Sequence, residues 1–216
     1  GSLSRAACLS RARRPRSGER AMPRAAAILM VDTNAPSLSP SGAPPHVRYQ
    51  GLTAWLNRLY ARRHNYRFLH YQLTEPGCSH AHWGTRHPSY CKIPLVAAAL
   101  ERFETVALID SDSWFAPAAP SLNELLMHAG ATPGLPLRSR SAGPRPGDAV
   151  VHFASDAPFS SGPNCGFMLW RKSSAATDLL RLWWHLDAGP YATQHDFEQR
   201  TLRWVLAHLD RYGGGG

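Results

Sequence analysis

The sequence predicts an α/β domain whose mixed, mostly parallel sheet is flanked by helices, and three observations carry that prediction. Thr105-Val-Ala-Leu-Ile109 is a short apolar run rich in β-branched residues, cut off by Asp110-Ser-Asp112, as in a buried strand that ends at an open edge. Strand and helix patterns alternate on its amino-terminal side, which argues for parallel units joined by helical crossovers. The composition, 44% hydrophobic and only 18% charged over 216 residues, suffices for one core and excludes a disordered chain.

In order, the first 24 residues hold Arg5, Arg11, Arg13, Arg14, Arg16, Arg20 and Arg24 and precede any element. They read as a basic, disordered arm, with the domain proper over 25–211 and a glycine tail over 212–216. Ala25–Val31 is the first strand, followed by a Pro/Ser/Gly stretch to Pro45. No Gly-x-Gly-x-x-Gly fingerprint follows it, which disfavours a dinucleotide enzyme.

From Tyr49 to Asn65, Leu52, Trp55, Leu56, Leu59 and Tyr60 recur at helical spacing, and Arg62, Arg63 and His64 crowd the end, where cations suit the helix dipole. Tyr66–Tyr71 alternates as a half-buried strand does. A histidine-rich loop spans Thr74–Ser89, and a helix over Tyr90–Arg102 leads into the Thr105 strand. Ser121 and Glu124 have capping-box spacing for a helix over Leu122–His128.

Gly130–Asp148, rich in Pro, Gly, Arg and Ser, is a long irregular loop. Strands follow at Ala149–Phe153 and Asn164–Arg171, where Gly166 marks a close backbone approach or a β-bulge. Helices over Ser173–Leu186 and Asp196–Leu209 complete the pattern. The final glycine run suggests truncation at the carboxyl end.

The net charge of +9 is concentrated in the arm. Such an arm can meet nucleic acid or a membrane surface, but its first reading is a solvated or processed tail, and nucleic acid is not the expected partner. Its Arg/Ser/Ala composition also fits an organelle transit peptide, or the remains of a stem whose membrane anchor lies outside this chain. No apolar run reaches the roughly 20 residues a bilayer requires. Cys8, Cys78, Cys91 and Cys165 make no disulfide framework, although Cys78 and Cys91 can bridge in an oxidising compartment.

Asp110 and Asp112 at a strand's carboxyl end lie where α/β proteins bind ligands, and two neighbouring carboxylates there invite a cation. Hard oxygen donors suit Mg²⁺ or Mn²⁺, whose open positions a diphosphate fills. The same pattern also reads as a strand followed by an acidic cap. Lys92 can supply a point charge to a diphosphate, and its alternative is a solvated lysine at a helix start. Cys78, His80, His82, His87 and Cys91 form a rival, zinc-like set, at a spacing that matches no standard finger. Of the seven tryptophans, Trp83 and Trp114 flank the expected cleft and are the candidates for stacking on substrate.

Several segments together resemble a known family. His87-Pro-Ser-Tyr-Cys-Lys-Ile-Pro-Leu95, then a helix, then Leu108-Ile-Asp-Ser-Asp-Ser-Trp-Phe115, resembles the aromatic-x-Lys-Leu-Pro-Leu … Asp-Ser-Asp-Ala-x-Phe pattern of glycosyltransferase family 34. That family includes plant xyloglucan xylosyltransferases and fungal α-galactosyl- and α-mannosyltransferases. Leu59-Tyr-Ala-Arg-Arg-His-Asn-Tyr66 is similar to its Tyr-Ala-Arg-x-His-Gly-Tyr, Asn164-Cys-Gly-Phe-Met-Leu-Trp-Arg171 to its Asn-x-Gly-x-x-Leu-x-Arg, and Asp196-Phe-Glu-Gln199 to its Asp/Glu-Gln motif. The pieces run in family order from Leu59 to Leu206.

The resemblance implies a GT-A fold with its DxD motif and a nucleotide-sugar donor, commonly UDP-linked. It also implies Mn²⁺, retention of anomeric configuration, a glycan or glycoprotein acceptor and a Golgi or other secretory-pathway membrane. It assigns direct metal binding to Asp112, and has Asp110 serve either the ribose or, through water, the metal. It places Glu198 and Gln199 against the sugar as the catalytic pair, with Asn164 and Gly166 at the sugar or acceptor pocket. The family's further metal-site histidine, in an apolar-His-Phe-Ala-Gly context beyond the Gln motif, is not matched; His152 comes in the wrong order and reads as a strand histidine. A catalytically impaired GT-A-like domain that serves as a binding protein is the alternative.

Overall fold

The computed structural model describes residues 26–32, 49–73, 77–130, 150–155, 162–186 and 197–212. The basic arm, the segment around Pro45, most of the Gly130–Asp148 loop, Asp196 and the four terminal glycines lie outside these residues. The elements are β1 (Ala26–Asp32), α1 (Tyr49–Arg63), β2 (Arg67–Gln72), β3 (Cys78–His80), β4 (Gly84–Arg86), α2 (Lys92–Leu100), β5 (Thr105–Asp110), α3 (Leu122–Gly130), β6 (Val151–Ser155), β7 (Pro163–Arg171), α4 (Ser174–His185) and α5 (Phe197–Tyr212). A 3₁₀ turn, Pro88–Cys91, precedes α2.

The main sheet has the order β2-β1-β5-β7-β6. β1 pairs in parallel with β2 and β5, whereas β7 pairs antiparallel with β5 and β6, so the sheet changes sense at β5. The expected mixed α/β sheet is therefore present, with an antiparallel half.

β1 and β5 are apolar on both faces because both faces are covered. Ala27, Leu29 and Val31 join Val106, Leu108, Trp170, Ile93, Leu180 and Leu202 in one cluster, under α2, α4 and α5. Ala26, Ile28 and Met30 join Ala107, Ile109, Tyr60 and Leu122 in the other, under α1 and α3. The result is three layers, helices–sheet–helices, with the carboxyl ends of β1 and β5 at one edge.

Local signals hold where the chemistry is local. Ser121 Oγ accepts from the Glu124 N–H at 3.2 Å while Glu124 Oε2 accepts from the Ser121 N–H at 2.7 Å, closing the capping box of α3. Ser173 caps α4 by accepting from the Ala176 N–H at 3.0 Å. The helix at Tyr49 forms as expected, but its periodic apolar stripe does not serve the core: Tyr60 is buried, whereas Leu52, Trp55 and Leu59 are exposed. Its inward face is instead Thr53, Ala54, Asn57, Tyr60 and Ala61.

The histidine-rich segment, expected to be an irregular loop, contains the β3–β4 hairpin. Cys78 and Cys91 are joined in a disulfide that ties β3 to the residue before α2. Both thiols are thereby withdrawn from the zinc-like set, which is overturned; among the described residues no group of three His, Cys, Asp or Glu side chains could hold a metal.

The hairpin packs on the end of α4. Arg86 donates to the carbonyls of Trp184 at 2.8 Å and Leu186 at 2.7 Å, and Trp83 Nε1 donates to that of His185 at 3.2 Å. Three successive carbonyls that a helix end leaves unpaired are thus satisfied by one hairpin.

Candidate functional site at the carboxyl end of β5

β5 ends at Asp110, and the turn that follows carries Asp112 outward. That turn is held from behind by α1. Thr53 Oγ1 donates to the Ser111 carbonyl at 2.6 Å. Asn57 Nδ2 donates to the Ser113 carbonyl at 3.0 Å, and Asn57 Oδ1 accepts from the Phe115 N–H at 3.0 Å. Each backbone group so bound is one that no strand or helix would satisfy, so two polar side chains on the buried face of α1 set the path of the Asp-Ser-Asp loop. Neither residue stands out in the sequence, because polar positions in an apolar-periodic helix read as surface.

Lys92, at the first position of α2, is only 4% exposed. Its ammonium lies 2.8 Å from Asp110 Oδ1 and 3.0 Å from Glu198 Oε1. Burial opposes its charge, but the Glu198 and Asp110 carboxylates outweigh that, and its pKa lies above the ordinary lysine range. Lys92 thus binds two internal acids rather than projecting into solvent. The cluster of one cation and two carboxylates carries a net charge of minus one, and the exposed Asp112 makes the edge more negative still.

β7 closes the other side. Asn164 Oδ1 accepts from the Gly166 N–H at 2.6 Å, a local turn that coincides with the register shift between β6 and β7. A Cβ on Gly166 would lie 2.8 Å from Asn164 Oδ1 and 3.2 Å from Asp110 Oδ2, so the strand backbone approaches the Asp110 carboxylate as only glycine allows. Gln199 Oε1 accepts from the Cys165 N–H at 2.9 Å, which docks the first turn of α5 on this strand. The Glu198 carbonyl accepts from Trp183 Nε1 at 2.9 Å.

Six of the residues singled out in the sequence thus come together. Asp110, Lys92 and Glu198 form one ionic cluster, and Gly166, Asn164 and Gln199 line the strand beside it. Trp114 is exposed two residues past Asp112, and Trp83 is exposed on the hairpin. His152 sits within β6, its pKa lowered by burial and by Arg171, as befits a strand histidine.

Asp110 keeps 38% of its side chain exposed and turns Oδ2 toward Gly166, while Oδ1 holds Lys92. Asp112 accepts from Ser113 Oγ at 3.1 Å through Oδ1. Two partly open carboxylates in a net-negative setting fit a hard divalent cation whose remaining positions are filled by water or an anionic ligand.

The chain's fold is similar to that of a glycosyltransferase involved in the glycosylation of the major capsid of PBCV-1. The TM-score is 0.52 at 19% identity, over 87% of this chain and 75% of that one. No family model matches the chain, and no curated protein matches it significantly.

Proposed function

We propose that the chain is a metal-dependent glycosyltransferase that moves a hexosyl or pentosyl unit from a nucleotide-sugar, most simply a UDP-sugar, to a glycan or glycoprotein acceptor, with retention of configuration. The observation that carries this reading is the net-negative edge at the end of β5, Asp110–Lys92–Glu198 with Asp112 beside it, on a glycosyltransferase-like fold. The likeness of the sequence motifs to glycosyltransferase family 34 supports it.

In this reading Asp112 and Asp110 hold Mn²⁺ or Mg²⁺, which when bound would stabilise negative charge on the departing diphosphate. Lys92 keeps Asp110 oriented and counters the upward push that burial gives the Asp110 carboxyl pKa. Glu198 shares that ammonium, and Gln199, Asn164 and Gly166 border the pocket for the transferred sugar. A polar group on the β face of the donor, from Gln199 or Glu198, stabilises an oxocarbenium-like transition state. The Cys78–Cys91 disulfide supports residence in an oxidising, secretory compartment.

The test is calorimetric titration with UDP, with and without Mn²⁺, followed by a donor-hydrolysis screen over UDP- and GDP-sugars. Mn²⁺-dependent UDP binding that Asp112→Asn abolishes supports the proposal. Binding indifferent to both overturns it and leaves a GT-A-like binding domain as the reading.

A further inference from the structure

Helix α1 presents opposite chemistries on its two sides. Inward, Thr53 and Asn57 hold the loop at the end of β5. Outward lie Leu52, Trp55 and Leu59, which are 53%, 55% and 41% exposed and belong to neither core cluster. At 3.6 residues per turn these three fall within an arc of about 60°. Arg58 and Arg62 lie along one side of the stripe and Arg63 along the other. Arg63 is tied to the Pro117 carbonyl and Arg58 lies over the Phe68 ring, 5.7 Å from its centroid, so both are held close to the stripe.

Neither α1 nor the adjoining strand β2 contains an acidic residue. An apolar stripe of Trp and Leu flanked by arginines, with no acid, is the pattern of a helix that lies in a membrane interface. The indole and leucines enter the acyl boundary while the guanidinium groups meet lipid phosphates. A protein partner would have to match three cations without an anion in return, whereas the headgroup layer of a lipid surface presents phosphate oxygens at every point along the helix.

We propose that the outer face of α1 is a peripheral docking surface for an anionic membrane, with Leu52, Trp55 and Leu59 as the inserting residues and Arg58 and Arg62 as the phosphate contacts. This attachment is distinct from any covalent or spanning anchor and from the basic arm. It places the lipid surface on the side of α1 opposite the Asp110–Ser113 loop.

The experiment is flotation of the full chain with vesicles of phosphatidylcholine alone and of phosphatidylcholine mixed equally with phosphatidylglycerol, alongside sedimentation equilibrium and thermal unfolding. The expected result is binding to the anionic vesicles that weakens by about tenfold or more in Trp55→Ser/Leu59→Ser and in Arg58→Gln/Arg62→Gln, with the arm intact and the unfolding midpoint unchanged. Undiminished binding of Trp55→Ser/Leu59→Ser overturns the proposal in favour of the arm, as does the absence of vesicle binding. A monomer–dimer equilibrium abolished by Trp55→Ser assigns the face to a second copy and overturns it. A lowered unfolding midpoint in the serine variant, showing that the stripe is covered within the chain, does the same.

Discussion

Lys92 and Glu198, the first residue of one helix and the second of another, meet at 3.0 Å beneath the edge of the sheet, and the same ammonium holds Asp110. Removing the cation leaves two acids facing each other in a desolvated site. Lys92→Met is therefore expected to lower stability by about 3–5 kcal/mol, read from urea denaturation midpoints. In Lys92→Met/Glu198→Leu most of that loss should be recovered, because one of the two stranded charges is gone.

Asp112 behaves differently because it is exposed and bonds only its neighbour Ser113 among the contacts described for it. Asp112→Asn should change stability by no more than about 0.5 kcal/mol. In the proposed function, the same substitution weakens Mn²⁺-dependent UDP binding by more than about tenfold. Calorimetry and thermal unfolding on one protein batch separate the two effects.

Asn57 tests whether the loop's path matters. It is fully buried and bonds both Ser113 and Phe115. Asn57→Ala strands a carbonyl and an N–H and should cost about 1–3 kcal/mol. Asn57→Asp keeps the acceptor for the Phe115 N–H but sets a carboxylate oxygen against the Ser113 carbonyl in a fully buried site, so at neutral pH its unfolding midpoint should fall at least as far as that of Asn57→Ala.

Gly166 sets how near β7 comes to Asp110. Gly166→Ala drives a methyl group against Asn164 and the Asp110 carboxylate, and the expected loss is about 1–3 kcal/mol, measured by thermal or urea unfolding.

Acid should loosen the hairpin. His80 Nδ1 accepts from the N–H groups of His82 and Trp83, so its proton resides on Nε2 and is shared with His185 Nδ1 at 3.1 Å. Burial first, then Arg86, His185 and His82, lower its pKa from 6.5 to about 4. Between those values the unfolded chain binds more protons than the folded one, so stability rises with pH. The contribution is complete above about pH 6.5 and is lost as the pH falls toward about 4. His70, His152 and His185, also lowered by burial, act in the same direction. Unfolding midpoints across this range should fall, with a shallower slope in His80→Gln.

The layers of the fold were legible because they rest on local chemistry: β-branched runs, the Ser121–Glu124 box, the Ser173 cap. The strand senses on the far side of β5 were not, since periodicity records which face is apolar but not the direction of the chain. The hairpin escaped notice because its strands are three residues long and its support comes from carbonyls about a hundred residues away. At the site, Asp110, Lys92 and Gly166 could be picked out by residue type and position, and Glu198 through the resemblance to the family's Asp/Glu-Gln motif. That Lys92 would be enclosed by both acids depended on α5 folding back, and the service of Thr53 and Asn57 depended on which face of α1 turned inward. There the apolar periodicity pointed outward.

The Cys78–Cys91 bond also bears on what a cut in the hairpin would do. β3, β4 and the exposed residues between them, His82 and Trp83 among them, all lie inside the covalent ring it closes. A protease that severs the chain at His82 or Trp83 therefore opens the ring without separating the fragments. The nicked protein would migrate as one species on a denaturing gel until a reductant is added, and only then resolve into an amino-terminal piece bearing α1 and a carboxyl-terminal piece bearing Lys92, Asp110 and Glu198.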